Sequence, residues 1–348
     1  MLIILIPGLK WYLEFRKMNG KNFAKEGILL KIWAFRKGFY LETIKYCGIT
    51  KANVHEYLSD RAYLKLHPIN HEYSKIIDNK LYLPYLLKDY PELVPTYYYL
   101  IEKGRCINID PLFSSLGLLQ LCKVKRRLAL KPCSSTMGNG FYILEWNFGR
   151  FFLNNIPVDI HEINCLIESL DSYLVTEYVI QHNYSDKINH SSVNTIRLIC
   201  LRDGTNNEFF IPTSNHRFGV GGKVVDNVGA EGGAVAAYID VLTGRIKNIG
   251  IIKENGMLSK ISDVIRHPDS NQLITGIFIP NWTEMINKVL EVMNHLSFLK
   301  YVGLDVVMTE DGFKILEINS LPTLIAIQIE AGALKNDQVK RFFLDNQD

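Results

Sequence analysis

The sequence has no apolar run long enough to span a membrane, and its six cysteines form no CxxC pair or metal-binding spacing. A transmembrane helix needs about 20 apolar residues in a row, whereas the apolar start MLIILIPGL covers only residues 1–9. This start also lacks the basic lead and cleavage site of a signal peptide, so we expect a buried first strand or a surface-docking segment. Scattered cysteines are typical of a reduced protein. We therefore expect a cytoplasmic protein, at most peripheral at the inner face of the membrane.

Other missing features narrow the class of protein further. No GK[ST] segment opens a helix, which excludes a Walker-type phosphate loop. No repeats or low-complexity runs occur, and no recognised nucleic-acid-binding module accompanies the basic residues. What is present, 348 residues with 47% apolar and 22% charged side chains, is typical of a globular protein with two or three packed subdomains.

Positive charge is concentrated near the N-terminus. Residues 1–105 carry 17 Lys and Arg against 10 Asp and Glu, a net charge of +7, and the remainder carries −4. The basic part includes KEGILLKIWAFRKGFYLETIKY, in which aromatic residues are mixed with cations. Such a segment is typical of a surface that contacts an anionic membrane or a polyanionic substrate. It is equally typical of an amphipathic helix with a solvated basic face.

The spacing of apolar residues predicts mixed α and β structure. Residues 1 to about 75 favour helices and irregular segments, and later apolar runs bounded by turn residues favour strands. The predicted later helices are KLYLPYLLKDY, LFSSLGLLQLCK, HEINCLIESL and WTEMINKVLEVMNHL, and the predicted strands are RLALKP, FYILEW, GRFFLNN, YLVTEYVI and several within residues 193–251. We therefore expect an α+β fold with antiparallel sheets.

The stretch GLDVVMTEDGFKILEINS, residues 303–320, predicts a β-hairpin that carries metal-type ligands. Glu317 and Asn319 are two residues apart and project from the same face of a strand. Together with Asp305 they would form a cage of oxygen ligands, which suits Mg²⁺. The alternative is a buried hairpin with polar ends.

The place of Asp305 depends on the length of the hairpin loop. A three-residue loop at residues 310–312, with glycine in the left-handed position, pairs Thr309 with Phe313 and Asp305 with Glu317. A two-residue loop would turn Asp305 to the opposite face. We predict the three-residue loop.

The segment ALKPCSSTMGNGFYILE places a lysine, Lys131, at the end of an apolar strand and a loop of small residues after it. Small residues let backbone N–H groups approach a phosphate, and the lysine adds a point charge. The alternative is a simple turn. The candidate loop residues are Ser134, Ser135, Thr136, Gly138 and Gly140.

The strand-like segment TEYVIQH, residues 176–182, is a candidate nucleobase contact. Glu177 and the backbone near Val179 could hydrogen-bond an adenine edge while Tyr178 or Ile180 covers its face. Such strands are common, so the segment alone is not specific.

Polar residues on two later segments are further candidates. In SSVNTIRL, Asn194 and Arg197 lie three apart, and the arginine could stabilise a transferring phosphoryl group or form a structural ion pair. In KVVDNVGAEGG, Lys223, Asp226 and Asn227 lie on a glycine-rich stretch. That stretch could run close to a nucleotide or an acceptor, or its glycines could serve tight turns alone.

The order of these features resembles the ATP-grasp superfamily over about residues 78–335. Within it, the strings VNTIRLICLRDG, VDNVGAEGGAVAAYIDVLTG, HPDSNQLITGIFIPNW and GLDVVMTEDGFKILEINSLP are similar to the sugar-transfer-associated branch. The resemblance implies an ATP-grasp fold in which two α+β subdomains clasp ATP. The implied divisions are a basic, mainly helical region at 1–77, a small lid subdomain at 78–180, a large catalytic subdomain at 181–340 and a tail at 341–348.

The resemblance also implies which residues would bind ATP and Mg²⁺, the latter as two ions. Lys80 and Lys131 would hold the α- and β-phosphates, and Arg197 would meet the γ-phosphate. The predicted catalytic residues are Arg197, Lys131 and Asn194; the predicted nucleotide contacts are Lys80, Lys131, Ser134, Ser135, Thr136, Gly138, Gly140, Glu177, Tyr178, Val179, Lys223, Asp226 and Asn227; the predicted metal ligands are Asp305, Glu317 and Asn319. Leu321 departs from the pattern, because many relatives carry arginine after Asn-Ser, which puts the acceptor in doubt.

ATP-grasp enzymes typically join a carboxylate to an amine through an acyl phosphate. The resemblance therefore implies a ligase of polysaccharide, capsule or cell-surface glycan biosynthesis that joins an amino compound to a sugar or glycan precursor. The alternatives are a phosphotransferase acting on a sugar or glycan, and a non-catalytic scaffold of a glycosyltransferase complex that binds ATP or a glycan. The expected partners are small-molecule or glycan substrates and polysaccharide-assembly enzymes, and not nucleic acid.

Overall fold

Two seven-stranded sheets form the framework of the protein. The computed structural model describes residues 7–20, 26–110, 112, 115–134, 140–226, 233–254, 257–262 and 265–346. Within these ranges every strand pair is antiparallel. The predicted α+β fold with antiparallel sheets is confirmed. No helix in these ranges is long and apolar enough to cross a membrane.

Short helices occupy the N-terminal part of the described chain. They are α1 (Pro7–Asn19), α2 (Ile28–Lys37), α3 (Leu41–Cys47), α4 (Asp60–Leu66), α5 (Tyr73–Ile77) and α6 (Leu83–Leu86), with 3₁₀ turns at Val54–Glu56, Lys80–Tyr82 and Pro91–Leu93. Helix α2 ends at Gly38, whose left-handed φ of 80° lets its N–H reach the carbonyls of Ala34 and Phe35. The N-terminal strand considered from the sequence falls mainly on residues 1–6, outside the described residues.

The first sheet is built from residues 97–177. Its strands are β1 (Tyr97–Glu102), β2 (Arg105–Asn108), β3 (Arg127–Pro132), β4 (Tyr142–Asn147), β5 (Arg150–Leu153), β6 (Ile156–Val158) and β7 (Tyr173–Glu177), in the order β2-β1-β7-β3-β4-β5-β6. Helices α7 (Leu118–Lys125) and α8 (Ile160–Ser169) bury Leu121 and Ile163 against Leu128 and Val175 of this sheet. The apolar alternation of RLALKP sets this packing, because every second side chain faces the helices.

The second sheet is built from residues 196–319. Its strands are β8 (Ile196–Arg202), β9 (Phe209–Gly219), β10 (Ala234–Ile239), β11 (Ile246–Glu254), β12 (Met257–Ile261), β13 (Tyr301–Thr309) and β14 (Gly312–Asn319), in the order β12-β11-β10-β9-β8-β13-β14. The remaining helices are α9 (Asn183–Ile188), α10 (Trp282–His295), α11 (Leu324–Gln328) and α12 (Asp337–Asp345), with a 3₁₀ turn at Ala333–Lys335.

Both faces of the second sheet are covered. On β8, Leu198 packs in the cluster that contains Val289 of α10, whereas its neighbour Ile199 packs in a second cluster with Tyr63 of α4 and Phe343 of α12. Successive side chains of a strand point to opposite faces, so consecutive apolar side chains are expected where a strand is covered on both sides. This explains the apolar run at residues 198–201 of β8.

The N- and C-terminal segments together form the cover on one side of this sheet. Tyr63 and Leu66 of α4 are buried in one cluster with Phe342 and Phe343 of α12. Residues 341–345, which the sequence suggested as a tail, therefore continue a helix that belongs to the core. The division predicted between residues 180 and 181 falls between the two sheets.

Candidate active site

A pocket opens between the two sheets and receives side chains from both. It encloses about 940 Å³ of space when the open solvent at its mouth is included. The charged side chains that line it are Lys80, Lys131, Glu177, Arg217, Asp226, Asp305 and Glu317. This convergence of both signs of charge makes it the candidate active site.

The hairpin of β13 and β14 forms one wall of the pocket, and its turn is shorter than predicted. Thr309 pairs with Gly312, which leaves residues 310–311 as a two-residue turn. The predicted three-residue loop is therefore wrong. The predicted pairing of Asp305 with Glu317 is nevertheless observed.

A β-bulge reconciles the short turn with this pairing. Val306 pairs with Ile315, but the next pair is Asp305 with Glu317, so Leu316 is one extra residue on β14. A bulge sets two residues of one strand against one residue of its partner. Leu316 and Glu317 consequently both line the pocket, although consecutive side chains of a regular strand point to opposite faces.

Asp305 is buried between two arginines. The Nε and Nη2 atoms of Arg197 donate to its two carboxylate oxygens, the latter over 2.9 Å, and Nη2 of Arg217 lies 2.8 Å from Oδ2. Burial raises the pKa of Asp305, but the two guanidinium groups outweigh that effect and hold the pKa below its usual range. Asp305 is therefore a carboxylate at neutral pH.

Glu317 is held by groups from two parts of the chain. Its Oε2 lies 2.9 Å from Nζ of Lys80, and Nδ2 of Asn319 donates to Oε1 over 3.0 Å. Lys80 reaches this position because Asp78, two residues before it, accepts hydrogen bonds from the N–H and hydroxyl of Ser320 over 2.7 and 2.6 Å. The end of β14 and the 3₁₀ turn at Lys80 are thereby tied together.

Lys131 lies at the end of β3 and lines the pocket opposite the hairpin. Its Nζ is 5.4 Å from the centroid of the Tyr97 ring. Burial and the positive charge of Lys80 together lower the pKa of Lys131 to about 8, against the opposing effect of Glu317. The ammonium form therefore prevails at pH 7 but is lost at mildly alkaline pH.

The end of β7 forms a second wall of the pocket. Glu177, Tyr178 and Val179 all line it. The carboxylate of Glu177 accepts hydrogen bonds from the N–H and hydroxyl of Thr96 over 3.0 and 3.3 Å, and the guanidinium of Arg127 lies 5.5 Å from the Tyr178 ring. The Glu177 side chain thus fixes the strand end.

Arg217 is a pocket residue that the sequence reading missed. It lies on β9, its Nε donates to Oγ1 of Thr195 over 3.0 Å, and Asp226 lies 3.8 Å from the same nitrogen. Burial alone would lower the pKa of Arg217, but Asp305 and Asp226 raise it. In the sequence, Arg217 is an arginine in a strand-like run just before a glycine-rich stretch. This pattern does not indicate that Arg217 contacts Asp305 and Asp226.

Two predicted catalytic residues do not reach the pocket wall. The Asn194 side chain is buried in a polar network, where Oδ1 accepts from Asn189 and Ser192 and Nδ2 donates to the Asn189 carbonyl over 2.7 Å. The Arg197 guanidinium is engaged by Asp305, which matches the ion-pair alternative left open for it. Neither is among the residues that line the pocket.

The small-residue and glycine-rich segments are described only in part. Ser134 and Lys223 are exposed and do not line the pocket in the described part of the chain. Gly140 has a φ of 75°, a left-handed conformation that favours glycine, and a Cβ there would crowd the Tyr173 hydroxyl. The predictions for Ser135, Thr136, Gly138 and Asn227 fall outside the described residues.

The side chains present fit a phosphate group bound together with magnesium. The described residues contain no cluster of three or more His, Cys, Asp or Glu suited to a metal. The oxygen donors are instead the carboxylates of Asp305 and Glu317 and the amide of Asn319. Mg²⁺ is commonly bound by one or two carboxylates together with substrate phosphates and water, and the neighbouring Lys80 and Lys131 suit phosphate oxygens.

A family model identifies the chain as an ATP-grasp protein. Residues 60–341 match the family model described as sugar-transfer associated ATP-grasp. The chain belongs to that family, and the resemblance read from its sequence is confirmed. No curated protein sequence matches it.

Solved structures resemble the chain distantly. D-alanine–D-alanine ligase from Bacillus anthracis is 13% identical, with a TM-score of 0.39 over 78% of this chain and 69% of that one. L-amino acid ligase from Bacillus licheniformis is 8% identical, with a TM-score of 0.40 over 78% of this chain and 48% of that one. N5-carboxyaminoimidazole ribonucleotide synthetase in its ADP complex is 11% identical, with a TM-score of 0.38 over 72% and 46%.

Proposed function

We propose that this protein is an ATP- and magnesium-dependent ligase that joins a carboxylate to an amine through an acyl phosphate. The observation that carries the proposal is the meeting of Lys80, Lys131 and Arg217 with Asp305 and Glu317 in one pocket. Membership of the sugar-transfer associated ATP-grasp family supports it. Bound ATP with magnesium would supply the phosphoryl group.

Each charged residue has a role that follows from its position. Lys131 and Lys80 supply positive charge for phosphate oxygens, and Asp305, Glu317 and Asn319 supply oxygen ligands for magnesium. Glu177, held by Thr96, orders the strand end whose backbone near Val179 would meet the nucleobase.

We assign the stabilisation of developing phosphoryl charge to Arg217 in place of Arg197. Arg217 lines the pocket, whereas Arg197 does not. Both arginines contact Asp305. Arg197 holds the Asp305 carboxylate in position, whereas the guanidinium of Arg217 also places positive charge at the pocket wall. A preorganised cation in a site shielded from water stabilises charge more strongly than it would in bulk water.

The proposed chemistry proceeds in two displacements. A carboxylate oxygen of the donor attacks the γ-phosphorus and ADP leaves, which forms an acyl phosphate. The amine nitrogen of the acceptor then attacks the acyl carbon, loses a proton, and inorganic phosphate leaves. The contribution of the protein is positioning and electrostatic stabilisation.

The proposed substrates are a carboxylate and an amine of which at least one belongs to a sugar or glycan precursor. The description of the family supports a place in polysaccharide, capsule or cell-surface glycan biosynthesis. Polysaccharide-assembly enzymes are the proposed protein partners. Many relatives carry arginine at the position of Leu321, which lies just beyond the hairpin of β13 and β14 and is 52% exposed. We therefore expect the acceptor of this protein to differ from that of those relatives.

An oxygen-18 experiment tests the reaction. Amino acids are paired with uronic acids, which would supply the carboxylate, and with amino sugars, which would supply the amine, and ADP release is measured. An active carboxylate is then labelled with ¹⁸O. We expect one labelled oxygen in the released phosphate. ADP formation with a phosphorylated product and unlabelled phosphate would instead identify a phosphotransferase.

A variant at Glu317, in the hairpin of β13 and β14, tests whether the protein is an enzyme. Glu317→Ala should abolish ADP release and change the glycan made by cells that depend on the protein. If the variant left both nucleotide hydrolysis and glycan structure unchanged, a non-catalytic scaffold would be the better description.

A further inference from the structure

The first two helices expose an unusual amount of apolar surface. On α2, Ile28, Leu29 and Ile32 are 67%, 80% and 49% exposed. On α1, the side chains of Tyr12, Leu13 and Met18 are about half exposed. Clustered apolar side chains at a protein surface mark an interaction site more often than single ones do.

The apolar surface of α2 adjoins that of α1 at Tyr12. Ile28, Ile32 and Phe35 are spaced i, i+4 and i+7, so they share one side of α2. The ring of Tyr12 on α1 packs edge-on against Phe35, with 6.1 Å between ring centroids. The inner sides of the helices pack in the core, because Trp11, Phe15 and Ala34 are buried with Tyr238 of β10. Phe35 is half-buried at the boundary, where its ring contacts Trp11 and Phe15.

The same segment carries most of the excess positive charge of the protein. Residues 7–37 contain eight Lys and Arg against two Glu, a net charge of +6, whereas the whole chain has +3 and the rest therefore −3. The exposed cations on the two helices are Lys10, Arg16, Lys17, Arg36 and Lys37. An apolar helix face bordered by cations is the arrangement that binds the interface of an anionic bilayer.

We propose that α1 and α2 dock this protein on an anionic phospholipid surface. The charge selects the occupant, because anionic headgroups complement the surplus of cations while the acyl region receives Ile28, Leu29 and Ile32. The large sheet, to which the two helices are attached through the cluster around Tyr238, would be held at the membrane with them.

Vesicle sedimentation tests the docking. The full chain is mixed at low salt with vesicles of phosphatidylcholine and phosphatidylglycerol at 70:30, and with vesicles of phosphatidylcholine alone. We expect binding to the anionic vesicles that weakens as salt rises, and at least about tenfold weaker partitioning to the neutral ones. Absence of binding to the anionic vesicles would overturn the proposal.

Matched surface variants separate docking from general stickiness. Ile28→Ser with Leu29→Ser, and separately Arg36→Gln with Lys37→Gln, should each lower partitioning about tenfold. The controls are Leu242→Ser, at a side chain 90% exposed elsewhere, and Lys103→Gln with Lys187→Gln, both exposed. Equal losses in the controls, or unchanged binding in the α2 variants, would overturn the proposal. The proposal would also fail if the protein bound no vesicles and instead formed a dimer that Leu29→Ser converted to a monomer.

Discussion

Asp305 lies directly opposite Glu317 across β13 and β14, although the hairpin turn between these strands has only two residues. The bulge at Leu316 shifts the strand register by the one residue needed to pair Asp305 with Glu317. Because of it, an apolar side chain and a carboxylate that are neighbours in sequence both line the pocket. The hairpin can therefore contribute an apolar contact and oxygen ligands at the same place.

The apolar part of this wall should matter for nucleotide binding. Leu316→Ala removes apolar surface from the pocket and leaves Asp305 and Glu317 in place. We expect ATP affinity to fall about 5- to 30-fold, in line with roughly 1–2 kcal/mol for partial loss of a buried leucine contact. Titration calorimetry measures this. Leu321→Ala, at an exposed leucine outside the pocket, is the matched control and should change affinity less than twofold.

Glu317 should be required for turnover and not for folding. Glu317→Gln keeps the shape of the side chain and an acceptor for Asn319 but removes the charge that faces Lys80. We expect ADP release to fall at least about 100-fold and the half-saturating magnesium concentration to rise. Asp311→Asn, in the turn of the same hairpin, controls for loss of one carboxylate and should behave as wild type. Similar activities of the two variants would show that the Glu317 carboxylate has no role in turnover.

Arg217 should also support the folded state. Arg217→Met leaves the buried Asp226 without its guanidinium partner and Asp305 with only one. Breaking a buried ion pair from one side typically costs about 3–5 kcal/mol, so we expect the free energy of unfolding in urea to drop by about 3 kcal/mol. Arg245→Met, at an exposed arginine, should change it by no more than about 0.5 kcal/mol. A loss below about 1 kcal/mol for Arg217→Met would show that this pair is not structurally important.

The pKa of Lys131 predicts how nucleotide binding depends on pH. Burial lowers this pKa to about 8, so the ammonium group is present below pH 8 and lost as the pH rises through 8. We expect ATP affinity measured between pH 7 and 9 to decline above pH 8. Lys131→Arg should flatten the profile because arginine stays protonated throughout this range. A decline of equal size in the arginine variant would assign the pH dependence to another group.

Local pattern predicted most of the secondary structure that builds the pocket. RLALKP, FYILEW and the hairpin strands are strands, and HEINCLIESL and WTEMINKVLEVMNHL are helices, as their periodicities predicted. Local spacing predicts these elements because side-chain direction repeats every two residues in a strand and every 3.6 in a helix. The resemblance to the ATP-grasp superfamily grouped five residues at one ATP site, and all five line one pocket: Lys80, Lys131, Glu177, Asp305 and Glu317. Their roles there stay predictions.

Contacts between distant strands were not predictable in this way. Asn194 and Arg197 were predicted to be catalytic. Asn194 is instead buried in a polar network, and Arg197 pairs with Asp305, which is 108 residues away in the chain. Arg217 reaches the pocket only because β9 lies beside β8, which in turn pairs with β13.

The family, the α+β class, the strand and helix content and the carboxylates of the hairpin were all predictable from the sequence, because each depends on residue type and short-range spacing. Strand pairing and packing produce the bulge at Leu316, the place of Arg217 at the pocket, and the shared core of α4 and α12. Those features depend on which strands pair and in what register. Pairing is set by packing energy summed over the whole sheet, and no local pattern encodes that sum.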